Sequence, residues 1–245
     1  MKKTLIASII LNFILLSSAS FLLYKKGGID YIKNHLASKN QTNKYSDYYY
    51  TKQSIYELKS DVITEADVVF LGDSITDFVE WSELFESAVL NRGINGDTTG
   101  GVLNRINSIL SLRPNKVFIL LGVNDIQSRI DTNTTTKNLR EIVNALTNQG
   151  VNVYLQSVLP VNTELYNKHI VPRIPSINTP TNEKVKVIND TLIQLSEKSP
   201  LVHYLSLSDL LNKNSGTIKE NYTYDGLHLN GNGVSVWASI VKPFI

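Results

Sequence analysis

The chain has 245 residues, 24 basic and 22 acidic side chains, and no cysteine. This length suits one medium-sized domain with a modest extension, and a hydrophobic fraction of 42% is ordinary for a globular core. The absence of cysteine excludes a disulfide scaffold, zinc–thiolate and iron–sulfur sites, and a thiol nucleophile. Any covalent catalysis must therefore use a hydroxyl, an amine or a carboxylate.

The net charge of +2 hides a strong asymmetry along the chain. Residues 1–60 contain nine lysines and three acidic residues, whereas residues 61–245 contain 15 basic and 19 acidic residues. The basic character therefore belongs to the N-terminal segment. Because the body of the chain is acidic, we expect no nucleic-acid partner.

Residues 1–24 are predicted to be a membrane anchor or a secretory signal. Lys2 and Lys3 precede an apolar run over residues 5–24 that contains no charge and is long enough for a bilayer core. A cleaved signal would use the small residues Ser18, Ala19 and Ser20 as its cleavage site. The anchor, in contact with the membrane through residues 5–24, is favoured because the apolar run continues past that site. In either case the rest of the chain is expected on the extracytoplasmic side, anchored or secreted.

Residues 25–60 are rich in lysine and tyrosine and show weak apolar periodicity. We interpret them as a juxtamembrane stalk that lies on anionic headgroups, or as a plain solvated spacer. The catalytic or binding domain is then predicted over residues 61–245.

The body alternates short apolar runs with helical patterns. The strands are predicted at 67–71, 88–91, 116–121, 151–158 and 202–205, and the helices near 77–87, 98–111, 134–148, 182–198 and 232–242. Strands that alternate with helices of this length indicate βαβ units and a parallel sheet covered by helices. In such sheets, ligands bind outside the carboxyl ends of the strands, so those ends hold the candidate site.

Three predicted strands end in residues suited to acyl chemistry. The first runs into Gly72-Asp73-Ser74, which can present a serine hydroxyl at the edge of the sheet. The second ends at Gly93, whose N–H is unhindered, and the third is followed by Asn124, whose side-chain amide is a donor. Each feature alone is common turn or capping chemistry.

Near the C-terminus, Asp225 precedes His228 by three residues. A histidine that acts as a general base needs an acidic partner to fix its tautomer and to stabilise the imidazolium. Together with the strand ends, this pair completes the set of groups needed for acyl transfer through a serine ester. A metal-dependent phosphoesterase using Asp73, Asp77, Asp125 and His228 is an alternative, although no recognisable ligand spacing links those residues.

These motifs, in this order, resemble those of the SGNH or GDSL-like hydrolase superfamily, over about residues 66–245. The stretches Gly72–Thr76 and Asn91–Thr98 are similar to the branch of platelet-activating-factor acetylhydrolase catalytic subunits and many bacterial esterases. The resemblance implies a flavodoxin-like three-layer α/β/α sandwich with about five parallel strands. It implies Ser74 as nucleophile, His228 as base and Asp225 as its orienting partner, with an oxyanion hole of Ser74, Gly93 and Asn124. It implies no metal and no cofactor.

The leading interpretation is a serine esterase that removes small acyl groups, such as acetyl, from surface glycans or lipids. A lysophospholipase-type lipid esterase and an O-acyltransferase would use the same acyl-serine intermediate. A non-catalytic tethered binding module is the alternative outside enzymology. The sequence does not predict the oligomeric state.

Overall fold

A computed structural model describes residues 2–25, 45–62, 66–175 and 177–245. The chain divides into two compact units, residues 1–46 and 47–245. In the first unit, the apolar run forms one helix, α1 (Lys2–Lys25). Among the described residues, which include 5–24, no helix is identified as long and apolar enough to cross a bilayer. The part of the predicted stalk at 26–44 lies outside the described residues.

The rest of the predicted stalk is a helix of the second unit, α2 (Asp47–Val62). Tyr49 and Tyr56 on this helix are only 2% and 4% exposed. They are seven residues apart and therefore lie on one helical face, a periodicity masked in the sequence by the surrounding polar residues. The prediction of a stalk or spacer is thus wrong for residues 47–60, and the folded body begins earlier than residue 61.

The body is built on a parallel sheet of five strands in the order β2-β1-β3-β4-β5. The strands are β1 (Val68–Gly72), β2 (Val89–Gly93), β3 (Lys116–Leu120), β4 (Asn152–Gln156) and β5 (Val202–Leu205). All five coincide with predicted strands, and β1, β3 and β4 were predicted from clear apolar runs, whereas β2 and β5 had weaker patterns. The strand order reverses between β1 and β3, which is the point where a doubly wound sheet opens a crevice for ligands.

One face of the sheet carries a row of aromatic side chains. Phe70, Phe118 and Tyr154 occupy equivalent positions on β1, β3 and β4, and their rings stack in sequence. Trp81 stacks on Phe70 with ring centroids 3.8 Å apart, and Trp237 meets Trp81 edge to face. This apolar layer fixes the elements that carry the two tryptophans against the sheet.

Helices connect and flank the strands. They are α3 (Ser74–Asp77), α4 (Trp81–Leu84), α5 (Thr99–Asn104), α6 (Ile106–Leu110), α7 (Val123–Gln127), α8 (Thr132–Thr147), α9 (Thr163–His169), α10 (Asn182–Ser196) and α11 (Gly231–Val241). Helix α8 buries Leu139, Ile142, Val143 and Leu146, the apolar face that its spacing predicts.

Two of the predicted helices are each divided into two short ones. The predicted helix 77–87 is replaced by α3 and α4, because Asp73 caps the chain at Ser74 and starts a helix earlier than the apolar pattern suggests. The predicted helix 98–111 is broken at Arg105, which leaves helical geometry with φ −113°. This bend lets the Arg105 guanidinium reach the buried Asp97 carboxylate, at 2.9 Å.

Candidate active site

Ser74 lies directly beyond the carboxyl end of β1, at the first position of α3. The Asp73 carboxylate accepts a hydrogen bond from the Ile75 N–H at 3.0 Å and caps the helix. The strand-to-helix turn therefore presents the Ser74 side chain at the crevice where the strand order reverses. Its backbone N–H belongs to the first turn of α3 and therefore has no acceptor within the helix.

The structure brings together the three residues proposed for the catalytic chain. Ser74 Oγ is 2.9 Å from His228 Nε2, and His228 Nδ1 is 2.7 Å from Asp225 Oδ2. When Nδ1–H donates to the carboxylate, Nε2 is left to accept the serine proton. Ser74 and His228 are 154 residues apart in the chain, so the tertiary fold creates this contact.

The turn between Asp225 and His228 is rigidly held. Asp225 Oδ1 accepts the backbone N–H groups of Leu227 and His228, at 2.9 and 2.8 Å. Partial burial raises the pKa of Asp225, but the hydrogen bonds and charge of His228 outweigh burial and lower it to about 2. Gly226 adopts φ +84°, and a Cβ there would lie 2.3 Å from the Asn162 carbonyl oxygen, so only glycine fits.

Asn124 lies on the first turn of α7, beyond the carboxyl end of β3. Its side-chain Nδ2 donates to the backbone oxygen of Asp97 at 2.9 Å, which fixes the amide plane. An amide nitrogen has two hydrogens, so the second can serve as a donor to a ligand. Asn124 therefore stands beside the loop after β2, at the edge that also carries Ser74.

Gly93 does not offer the donor that the sequence predicts. Its N–H donates to Asn91 Oδ1 at 2.8 Å, and the residue is buried. A Cβ at this position would lie 2.4 Å from the Asp77 backbone nitrogen. The glycine is thus required for the close packing of β2 against α3, and its N–H is already used.

Gly96 lies in the loop after β2 and was not singled out from the sequence. It is exposed, adopts φ +78°, and precedes Asp97, whose carbonyl binds Asn124. Its N–H has no acceptor within the described part of the chain. The dipeptide Asn95-Gly96 is a typical turn signal and could have indicated this position.

Three buried carboxyl groups surround the site without converging on one point. Burial raises the pKa of Asp73 to about 7 and that of Asp97 to about 6. Burial also raises the pKa of Asp125, which accepts hydrogen bonds from the N–H and hydroxyl of Thr99. Within the described residues no group of three His, Asp or Glu side chains could hold a metal ion, so the alternative metal-dependent site finds no support.

A shallow groove of about 270 Å³ lies beside His228. Phe78, which is 59% exposed, forms part of its wall, and its ring centroid is 5.2 Å from that of His228. Glu80 and Glu83 add two carboxylates to the lining, and the other lining residues are Val79, Leu84, Leu229, Asn230, Gly231 and Val234.

Known proteins resemble this chain in sequence and in fold. The model of the GDSL-like lipase/acylhydrolase family matches residues 70–236. A candidate platelet activating factor from Streptococcus pneumoniae is 26% identical and superposes with a TM-score of 0.72, over 86% of this chain and 98% of its own. A GDSL-like lipase from Bacteroides thetaiotaomicron is 22% identical, with a TM-score of 0.65 over 78% of this chain and 95% of its own. The second likeness shows the fold alone.

Among curated proteins, an Escherichia coli N-acylneuraminate cytidylyltransferase is 27% identical over 197 residues. These residues are 78% of this chain but only 43% of that protein, so the chain spans less than half the length of this relative.

Proposed function

Because the chain belongs to the GDSL-like lipase/acylhydrolase family, whose members hydrolyse esters, we propose that it is a serine esterase acting through Ser74. The observation that carries the proposal is the unbroken chain of hydrogen bonds from Ser74 through His228 to Asp225. A binding module would not need this geometry, in which nucleophile, base and orienting carboxylate are all present.

The geometry supports a two-step reaction. His228 Nε2 takes the proton from Ser74 Oγ as that oxygen attacks the acyl carbon, and the Asp225 carboxylate stabilises the imidazolium that forms. The oxyanion of the tetrahedral intermediate accepts hydrogen bonds from the Ser74 N–H, the Asn124 amide and, in place of Gly93, the Gly96 N–H. His228 then returns the proton to the leaving alcohol, and a water molecule activated by the same imidazole hydrolyses the acyl-serine.

The test uses the Ser74→Ala variant with p-nitrophenyl acetate and a fluorophosphonate probe. The variant should fold, lose hydrolysis and remain unlabelled, because no other group is placed to attack the acyl carbon. Ser239→Ala, which removes an exposed hydroxyl on α11, is the matched control and should retain both signals. Hydrolysis by Ser74→Ala at the rate of the wild type would refute the serine mechanism.

We further propose small acyl esters, such as acetyl groups, on an uncharged, hydroxyl-rich alcohol. His228 protonates the leaving oxygen, so the alcohol must lie on the His228 side of Ser74, the side on which the Phe78 ring contacts the imidazole. The exposed Phe78 ring offers an apolar face, while the Glu80 and Glu83 carboxylates can accept hydrogen bonds from hydroxyl groups and repel a phosphate. These features favour acetylated glycans over lysophospholipids. A screen of both classes tests the preference, and faster turnover of lysophospholipids would reverse it; acyl transfer to an added sugar would identify an O-acyltransferase.

The site of action is proposed to be extracytoplasmic. The support is the pattern of Lys2 and Lys3 followed by the apolar residues 5–24, which is typical of an export signal or an anchor. Cell fractionation with N-terminal sequencing of the mature protein tests this proposal and separates a retained chain from a cleaved one. Recovery of the full chain in the cytoplasm would contradict it.

A further inference from the structure

Helix α2 lies outside residues 70–236, the part of the chain that matches the family. Three of its side chains are nevertheless directed at the elements that carry the site. Tyr48, Lys52 and Tyr56 are spaced four residues apart and so form one stripe on the helix surface.

Tyr56, at the C-terminal end of the stripe, contacts the end of β2. The Tyr56 hydroxyl donates to the Gly93 carbonyl oxygen at 2.8 Å, in a buried contact. The Arg92 guanidinium lies 4.6 Å from the centroid of the Tyr56 ring, so the ring is fixed by a cation–π contact as well. Gly93 is the residue from which the loop to Gly96 and Asp97 departs, so this hydrogen bond fixes the origin of that loop.

Tyr48 and Lys52, the two N-terminal residues of the stripe, contact Asp77, the last residue of α3. Lys52 Nζ lies 2.7 Å from Asp77 Oδ1, and the Tyr48 hydroxyl donates to Asp77 Oδ2 at 2.7 Å. Asp77 Oδ2 also accepts the backbone N–H of Asn95 at 2.9 Å. The Asp77 side chain is only 2% exposed, so its interactions are poorly screened by water.

Asp77 therefore joins three elements at one carboxylate: α2, the helix that begins with Ser74, and the loop that leads to Gly96. On the far side of the loop, Asn124 binds the Asp97 carbonyl. The loop is thus held between α2 and the Asn124 amide, and its freedom to move relative to Ser74 is restricted from both sides.

We propose that α2 is a positioning element of the active site, in which Tyr56 and Lys52 fix the loop after β2 so that its donor faces the developing oxyanion. The inference rests on the proposed serine esterase function. Neither residue touches substrate; both act through Gly93 and Asp77. Displacement of catalytic groups by about 1 Å can lower rates about 10²-fold, so loosening this support should lower kcat and leave ground-state binding almost unchanged.

The experiment uses the full chain with p-nitrophenyl acetate and compares Tyr56→Phe with Tyr49→Phe. Tyr49 is the matched control, because its buried hydroxyl also donates from α2 to a backbone carbonyl, that of Gly101, at 2.8 Å. Both variants lose one such hydroxyl and should show similar small decreases in Tm. Only Tyr56→Phe should lower kcat, by roughly 5- to 50-fold with KM within about twofold, since a whole oxyanion donor accounts for about 10²- to 10³-fold.

The rate of labelling by a fluorophosphonate is the second readout, because the tetrahedral adduct uses the same donors. It should fall in parallel with kcat for Tyr56→Phe and remain unchanged for Tyr49→Phe. Equal kcat and equal labelling rates in the two variants would overturn the inference.

Lys52 provides an independent test should Tyr56→Phe fail to fold. Lys52→Met should lower kcat, and Lys52→Arg should restore most of it by keeping a cation beside Asp77. Equal kcat values in these two variants would also overturn the inference. The two proposals fail differently: a wild-type chain without esterase activity or labelling refutes the serine esterase, whereas an active wild type with unaffected α2 variants refutes the positioning role alone.

Discussion

The buried carboxyl of Asp73 should make the stability of the protein depend on pH. Asp73 is fully buried, one of its oxygens caps Ile75, and the other, Oδ2, has no hydrogen-bond partner among the described residues. Burial raises its pKa to about 7 in the folded state, whereas an aspartate in an unfolded chain titrates near 3.9. The folded state therefore holds the proton more tightly than the unfolded state.

The sign and size of the effect follow from linkage. A raised folded-state pKa contributes stability that is fully present below about pH 4 and is lost as the pH rises through about 7. With a folded pKa of about 7, this contribution falls by about 3 kcal/mol between pH 5 and pH 8. Asp73→Asn keeps an oxygen to cap Ile75 and replaces the unpartnered oxygen by a group that does not titrate.

Urea unfolding of wild type and Asp73→Asn at pH 5 and pH 8, followed by the fluorescence of the buried Trp81 and Trp237, measures this difference. The free energy of unfolding of the variant relative to wild type should rise by about 3 kcal/mol from pH 5 to pH 8. Titrating groups that do not interact with Asp73 cancel in the comparison. Asp209→Asn, which removes an exposed carboxyl, is the control and should show no such change. A relative stability of Asp73→Asn that is the same at both pH values would refute the reasoning.

Three further predictions concern the site itself. Asn124→Ala should lower kcat toward p-nitrophenyl acetate by roughly 10²-fold or more if the amide is an oxyanion donor, and an unchanged kcat would remove it from that role. Gly93→Ala should lower Tm strongly, because its Cβ would lie 2.4 Å from the Asp77 nitrogen. Gly96→Ala has open space and should cost only about 1 kcal/mol for its positive φ. Thermal denaturation compares the two variants, and equal decreases in Tm would contradict the packing role of Gly93. Asp225→Asn should lower kcat by roughly 10²-fold or more with little change in KM, because the amide no longer holds the imidazolium; steady-state kinetics that show only a raised KM would argue against this role.

The sequence by itself predicted the strands and the residues that we propose for the catalytic chain. Strands β1 and β3 are buried, almost entirely apolar runs, and β2, β4 and β5 are shorter or mixed runs with buried apolar positions. In each case the hydrophobic pattern is a local property. Ser74 and Asn124 are visible because each follows a predicted strand, and parallel strands place their carboxyl ends at one edge. Asp225 and His228 are visible through their spacing of three residues, shortly before the last predicted helix.

Only the tertiary structure showed that the N–H of Gly93 is already engaged. Gly93 is the donor that the sequence predicts, but the packing of β2 against α3 buries it and engages its N–H with Asn91. That packing depends on contacts between residues distant in the chain, which no local pattern reports.

The role of α2 was hidden for the same reason. Its sequence is rich in lysine and tyrosine and therefore predicts a solvated segment. Both side chains, however, have an apolar body that can be buried and a polar tip that can bind a partner. The fold buries the tyrosine rings and directs their hydroxyls, with Lys52, to acceptors on the body. Composition thus determined that this segment is polar and basic, whereas the partners that turn these groups into a support for the site exist only once the sheet has assembled.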